Sequence, residues 1–427
     1  MNPVVQSTNI PKGIVMRSRR QFMKDAAAVA GAAVLAPAGL AQASMQAGGR
    51  KSRVVSVAAD NVLKGETYDP LVVHKMFDRG LKELTGEKTL RNAWSSMFGP
   101  DDVVGVKINC IAWPKVSSSQ ASIDEVVAGL KSGGVRENNV IIWDHADGAF
   151  RRTALKVNRS SQEVRVHGNS PAAATLVPWV EGYDRKVYLD LEFGTLRKYR
   201  ELIGRNFTKD GTQREIFNSL TWLWMLIAQG NEKARKYETE IRRLYTDYND
   251  REGIKKIAEE VADMFNNVEI EDESRSYFSN IVTQDITKLI NIPVLKHNED
   301  SGVTLCTKNI ALGVTTNKVR FHLDYCARAI AEIMSFPCIK DKLALNIGEA
   351  AKISTVSVVG QKMAFDNRIF FSRDPVAMDL IGLDLLEEKR REQGLEPIRD
   401  ISTHVAACAK KGVGTGDPRQ IDLREIR

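Results

Sequence analysis

Six consecutive polar side chains, Lys296, His297, Asn298, Glu299, Asp300 and Ser301, follow the largely apolar run Lys288 to Leu295. Read as a turn at the carboxyl end of a strand, they lie where open α/β sheets bind ligands. A lysine next to an imidazole that titrates near neutral pH can hold a carboxylate or phosphate and move a proton. Thr304 and Lys308, four residues apart, are expected on one face of a helix from Thr304 to about Leu312, with Asn309 alongside. His297, Lys296, Lys308 and Asp144 are the candidate catalytic groups. Lys107, Asn109, Thr304, Asn309 and Asp379 are the candidate binding groups. A solvated surface loop and purely structural capping are the plainer readings of the 296–301 segment.

Lys107, Asn109 and Cys110 close the apolar run Val103 to Ile111, and Asp144 with His145 closes Val140 to Trp143. If those strands are parallel neighbours, the polar groups share one edge of the sheet. Lys107 sits between Val106 and Ile108, so one face must accommodate a charge. A buried lysine needs a partner, and Asp144 is a reasonable one; a structural ion pair accounts for the two as well as a catalytic role does. Asp374 ahead of Pro375 reads as a helix cap. Asp379 lies on that helix among Val376, Gly382 and Leu383, where a carboxylate is either bonded to a facing segment or part of a site. His322 with Cys326 and His404 with Cys408 could each offer two zinc ligands. Cys326 also continues an apolar stripe with Ala329, Ile330 and Ile333, which is ordinary core behaviour, and no metal ligand is assigned.

The elements that must position these groups alternate. Ser122-Ile123-Asp124-Glu125 reads as a capping box for a helix ending at Gly133-Gly134, between the strands at Val103 and Val140. That is a βαβ unit of a buried, partly parallel sheet. Weaker strands are expected at Val164 to Val166 and Val187 to Leu191. Thr212 to Gln229, Glu232 to Tyr248 and Arg251 to Asn266 read as three helices of an insertion. Its apolar stretch Leu220 to Ile227, with Trp222 and Trp224, suits burial under the partner helices, a surface for a second copy or a redox partner, or, third, a membrane-interface role. Helices at Val319 to Met334, Asp374 to about Gln393 and Thr403 to Lys411 follow, with strands at Leu343 to Ile347, Arg368 to Phe371 and Ile421 to Ile426. The expected fold is α/β: a mixed, mostly parallel sheet flanked by helices, with an all-helical insertion. The corresponding divisions are 1–43, 44–198, 199–275 and 276–427.

Ser18-Arg19-Arg20-Gln21-Phe22-Met23-Lys24, followed by an alanine-rich run to Ala43, resembles a bacterial twin-arginine export signal. Ala41-Gln42-Ala43 is the candidate cleavage site. Ala26 to Leu40 falls short of the roughly 20 strongly apolar residues of a spanning helix, so no membrane span is expected after signal removal, and the expected location is the periplasm. Residues 1–43 hold five of the 61 Lys and Arg and one of the 54 acids; without them the net charge drops from +7 to +3. The remaining charges are interspersed, which argues against nucleic-acid binding. The five cysteines are odd in number and widely spaced, against a disulfide framework or a self-contained iron–sulfur site, with room for one long-range bridge.

Five segments in order resemble the domain of unknown function 362 family, in its twin-arginine-exported branch. They are Val104 to Cys110, Asn139 to Asp144, Pro293 to His297, Gly302 to Asn309 and Ser372 to Asp379. The similarity spans about 100–190 and 281–427. It implies no established activity, though some relatives are joined to ferredoxin-like iron–sulfur modules, which this chain lacks. The family pattern also implies an acidic residue and a Gly-Pro-rich turn near Ile347-Gly348-Glu349-Ala350, where Lys352 to Gly360 reads Lys-Ile-Ser-Thr-Val-Ser-Val-Val-Gly instead. The expected function is an exported periplasmic protein that binds a small anionic ligand, or a metal or redox cofactor, in an α/β pocket, and serves as an oxidoreductase-associated enzyme. The alternative is a non-catalytic accessory or binding protein of an exported redox complex.

Overall fold

Short runs of β-branched and aromatic residues, separated by helices, set up a layered α/β frame. The computed structural model describes residues 51–171, 174, 179–191, 252–253, 274–358 and 360–427. The proposed export signal and the helices of the insertion, with Trp222 and Trp224, lie outside the described residues.

Chain order opens with β1 (Ser52–Ala58), β2 (Leu63–Lys64), β3 (Thr67–Tyr68), α1 (Pro70–Thr85) and α2 (Leu90–Ser95). The Asp69 carboxylate accepts the Leu71 N–H at 2.9 Å and Pro70 starts α1, which Gly86 closes at φ 81°. The βαβ region follows as β4 (Val104–Lys107), α3 (Gln120–Ser132), β5 (Val140–Asp144) and β6 (Arg165–Gly168). A separate antiparallel ribbon joins β7 (Tyr183–Asp190) to β8 (Arg275–Ser279). Next come β9 (Lys288–Asn291), β10 (Val294–Asn298), β11 (Gly302–Thr304), α4 (Cys306–Val314), α5 (Ala327–Ser335) and α6 (Pro337–Lys340). The chain finishes with β12 (Leu343–Val356), β13 (Lys362–Phe365), β14 (Arg368–Ser372), α7 (Pro375–Glu392), α8 (Thr403–Lys410) and β15 (Ile421–Ile426).

The main sheet has 11 strands, its path running β15-β1-β14-β12-β9-β4-β5-β6, with β10, β11 and β13 attached through β12. β4 runs parallel to β5 and β9, β5 to β6, β12 to β9 and β10, and β1 to β15. β14 is antiparallel to β1 and β12, as are β11 to β10 and β13 to β12. This is the mixed, mostly parallel α/β sheet the sequence predicts.

Successive strand residues face opposite sides, and the core divides accordingly. Val104, Val106, Val140, Ile142, Ile290 and Phe371 pack with α1, α2 and α3. Ile141, Trp143, Leu289 and Phe370 pack with α4, α5, α7 and α8. Full burial of one such side chain contributes about 1.5–3 kcal/mol, so both faces are closed to water and the exposed chemistry is pushed to the strand ends.

Several local expectations change. The Val103–Ile111 strand shortens to β4, because the backbone turns away after Lys107. α3 is capped one turn earlier than the Ser122-to-Glu125 capping box implied: Ser119 Oγ accepts the Ser122 N–H at 3.1 Å. Lys296, His297 and Asn298 belong to β10 instead of a turn, and Thr304 belongs to β11 instead of the following helix. Thr304 therefore does not share a helical face with Lys308; it lies opposite Lys296 across a tight hairpin. The Val319–Met334 helix is interrupted: residues Val319–Asp324 form a short 3-10 turn, and Tyr325 and Cys326 take φ of 56° and 61° before α5 begins. His322 and Cys326 thus lose the common helical face that a zinc pair requires. The Leu343–Ile347 strand continues to Val356, absorbing the segment where the family pattern implies a Gly-Pro-rich turn. All five cysteines are free thiols.

Candidate functional site

β4, β5 and β9 end level with one another. Lys107 is paired with Trp143 on one side and Asn291 on the other, and Asp144 follows Trp143 at the tip of β5. Their side chains gather at the carboxyl edge of the parallel strands, the usual ligand side of such sheets. Lys107 Nζ donates to Asp144 Oδ1 at 2.9 Å and also to the Ile108 carbonyl. Asp144 Oδ2 accepts the Cys110 N–H at 2.8 Å, and Oδ1 takes the His145 N–H at 2.7 Å. Burial alone would raise the Asp144 pKa, but the Lys107 charge and the His145 side chain overcome it and hold the carboxyl well below its ordinary value. Gly313 on α4 makes room for the lysine, since a Cβ there would meet Lys107 Cε at 2.2 Å.

A chain of carboxamides extends from this pair. Asn346 Oδ1 accepts from Asn291 Nδ2 at 2.9 Å, Asn291 Oδ1 from Asn309 Nδ2 at 2.8 Å, and Asn309 Oδ1 from Asn109 Nδ2 at 2.9 Å. Every amide nitrogen in that relay donates to the next oxygen, which leaves Asn109 Oδ1 to receive Lys296 Nζ at 2.8 Å. Lys296 is 1% exposed. Burial, with the Lys308 and Lys107 charges and against the pull of Asp144, lowers its pKa to about 7. Lys318, at the half-buried rim, donates to the Leu312 carbonyl at 2.6 Å. Burial and the Lys107 charge, against the opposing pull of Asp144, bring it down to about 8. His145 stands beside them, its Nδ1 3.5 Å from Asp144 Oδ1, and burial with the Lys318 charge lowers its pKa.

Lys308 extends the cationic group from α4, where its Nζ donates to Ser301 Oγ. Burial lowers its pKa, against the attraction of Cys326, Asp300 and Glu299. His404, fully buried at the start of α8, is driven to about 3 by burial and by the Lys308 charge. The 296–301 segment is thus no solvated loop: Lys296, His297, Asn298 and Ser301 are all buried. His297 alternates with Lys296 along β10 and its side chain leaves the strand on the other face, where Nδ1 accepts the Ser357 N–H at 3.3 Å. The structure therefore brings Lys107, Asn109, Asp144, Lys296 and Asn309 into one bonded network, sets Lys308 within its field, and turns His297 away from Lys296.

Asp379 caps α4 from a distance. It accepts the Cys306 and Thr307 N–H groups at 2.5 and 3.0 Å and the Thr307 hydroxyl, which is the facing-segment reading of that carboxylate. Glu349 does the same for α3, taking the Ser119 N–H at 2.8 Å and the Ser119 and Ser122 hydroxyls. The sequence reading did not single out Asn291, Lys318 or Glu349. Asn291 had a usable signal, a lone amide two residues beyond Leu289 in an otherwise apolar strand.

Among the described residues no three His, Cys, Asp or Glu side chains stand close enough to hold a metal ion. Burial raises the Cys326 thiol to about 12 and the Cys338 thiol to about 11.

Residues 227–384 match the family model for the domain of unknown function DUF362. The matched span carries Lys296, Lys308, Asn309 and Asp379, whereas Lys107, Asn109 and Asp144 precede it. No curated protein and no solved structure matches the chain.

Proposed function

We propose that this is an exported protein, carried to the periplasm by the twin-arginine route, that binds a small oxyanion or carboxylate at the carboxyl edge of its sheet. One observation carries the binding reading. Lys296 and Lys318 are drawn to the same carboxylate, Asp144, whose oxygens are already occupied by Lys107 and two backbone amides. Buried ammonium groups in excess of carboxylates favour a ligand that brings negative charge. Lys107 and Asn109 would orient the anion, with Asn309 and Thr304 as further binding groups. Lys296 and Lys308 would hold or move a proton, while Asp144 stays ionised against Lys107.

Sulfate is a suitable probe because it does not titrate near neutral pH. Calorimetry at fixed ionic strength is expected to show saturable sulfate binding, weakened several-fold in Lys318→Met. Heat that rises without saturation, or is unchanged in Lys318→Met, would leave only the general exclusion effect of sulfate on folded proteins and end this reading. For export, the paired change Arg19→Lys with Arg20→Lys is expected to keep the full-length precursor in the cytoplasm; processed protein reaching the periplasm would contradict it.

A further inference from the structure

Three buried lysines near this edge differ in what their Nζ atoms touch. Lys107 is held by a carboxylate oxygen at 2.9 Å. Lys308 donates to the Ser301 hydroxyl and feels the Asp300 and Glu299 carboxylates. Lys296 has a neutral carboxamide oxygen, Asn109 Oδ1, at 2.8 Å. That acceptor serves an uncharged amine as well as an ammonium, whereas a carboxylate would enforce the charge. Asn109, which receives that bond, is half-buried, whereas Lys296 itself is buried.

We propose that Lys296 is a reactive amine that forms an imine with a small 2-oxo acid, whose carboxylate is attracted by the neighbouring Lys308 and Lys107 charges. This inference rests on the anion-binding reading and names the class of ligand. A lysine desolvated beside other cations is one established way of making an amine nucleophilic. The nitrogen lone pair adds to the ketone carbon, and the carbonyl oxygen leaves as water with the two amine hydrogens, giving the C=N bond. The neighbouring cations explain the preference for a carbonyl next to a carboxylate over a neutral ketone. A lysine at about 7 holds on the order of 10³-fold more neutral amine at pH 7 than one at 10.5, which separates Lys296 from surface lysines.

The test uses the wild-type protein, pyruvate and sodium cyanoborohydride at pH 7, with peptide mapping by mass spectrometry. Hydride delivered to the imine carbon fixes it as a stable secondary amine. The expected result is one dominant pyruvate adduct, on Lys296, suppressed by sulfate and about ten-fold weaker with acetone, a difference of about 1.4 kcal/mol. Labelling is expected to rise to half its maximum near pH 7. Adducts spread over surface lysines, or labelling of Lys296 only above about pH 9, where ordinary lysines begin to lose their protons, would overturn the imine. Saturable sulfate binding in the same samples would then show that the anion site stands without it.

Discussion

Asp144 and Asp379 are both buried carboxylates that accept backbone N–H groups, yet they behave oppositely. At the sheet edge, the Lys107 ammonium sits against Asp144 and holds its pKa well below the ordinary value despite burial. At the start of α4, Asp379 receives neutral donors from Cys306 and Thr307, and burial outweighs them, raising it to about 6. Hydrogen bonds to neutral donors secure a carboxylate's position; a cation is what secures its charge. The first arrangement is built around charge, the second around a helix end, and the structure therefore assigns them different kinds of work.

The largest expected effect breaks the charged pair. Asp144→Asn leaves the Lys107 ammonium buried without a counter-ion and should cost about 3–5 kcal/mol in denaturant unfolding at pH 7. Adding Lys107→Met should recover much of that loss, since the pair is then removed together. Asp379→Asn should cost distinctly less, on the order of 1–2 kcal/mol, as one amide oxygen still accepts at the α4 terminus. Equal losses in the two single variants would erase the contrast.

A second effect sharpens it at Lys296. Its folded pKa, about 7, lies below the unfolded value of 10.5, so the unfolded chain binds more protons between those values. The penalty is fully present below about pH 7 and is relieved as pH rises toward 10.5. Lys296→Met should therefore gain stability relative to wild type at pH 6, on the order of 1–2 kcal/mol, with the gain shrinking by pH 9.5. For the same reason sulfate should bind more tightly at pH 6 than at pH 8.5, by up to about ten-fold per pH unit above 7. A flat pH profile in calorimetry would remove Lys296 from the anion's surroundings.

The smallest effect concerns the slope at acid pH. Asp379 has a folded pKa raised to about 6, so the native state binds the extra proton and stability falls as pH rises from the unfolded value to 6. Asp144 has the reverse sign: its contribution is present above the unfolded pKa and is lost as pH falls through the lower folded one. Urea midpoints for Asp379→Asn between pH 4 and 6 should lack the wild-type descent, a difference of about 1 kcal/mol or more. An unaltered slope would mean that Asp379 stays ionised in the fold.

Periodicity exposed the long elements well. α7 begins at Asp374-Pro375 as its cap residues indicate, and β5 ends at Asp144 as the change from apolar to polar residues implies. It failed at Lys296 to Asn298, where polar residues look like a turn yet continue a strand, because their partners in Asn109 and Ser357 lie far away in the chain. It failed at Tyr325 and Cys326 as well, where an unbroken apolar stripe conceals two left-handed residues. The site was legible in part: Lys107 opposite Asp144 follows from two parallel strands, whereas the carboxamide relay that links Asn291 and Asn309 to Asn109 depends on contacts between distant segments.

From the sequence alone came the α/β class, the strand that carries Lys107, the strand that ends at Asp144, and the helix cap at Asp374, since each depends on neighbours a few residues apart. Tertiary structure decided which lysine acquired a carboxylate and which a carboxamide. Charge state depends on burial and on atoms within a few ångströms, and folding draws those atoms from segments as distant as Asn109 and Lys296.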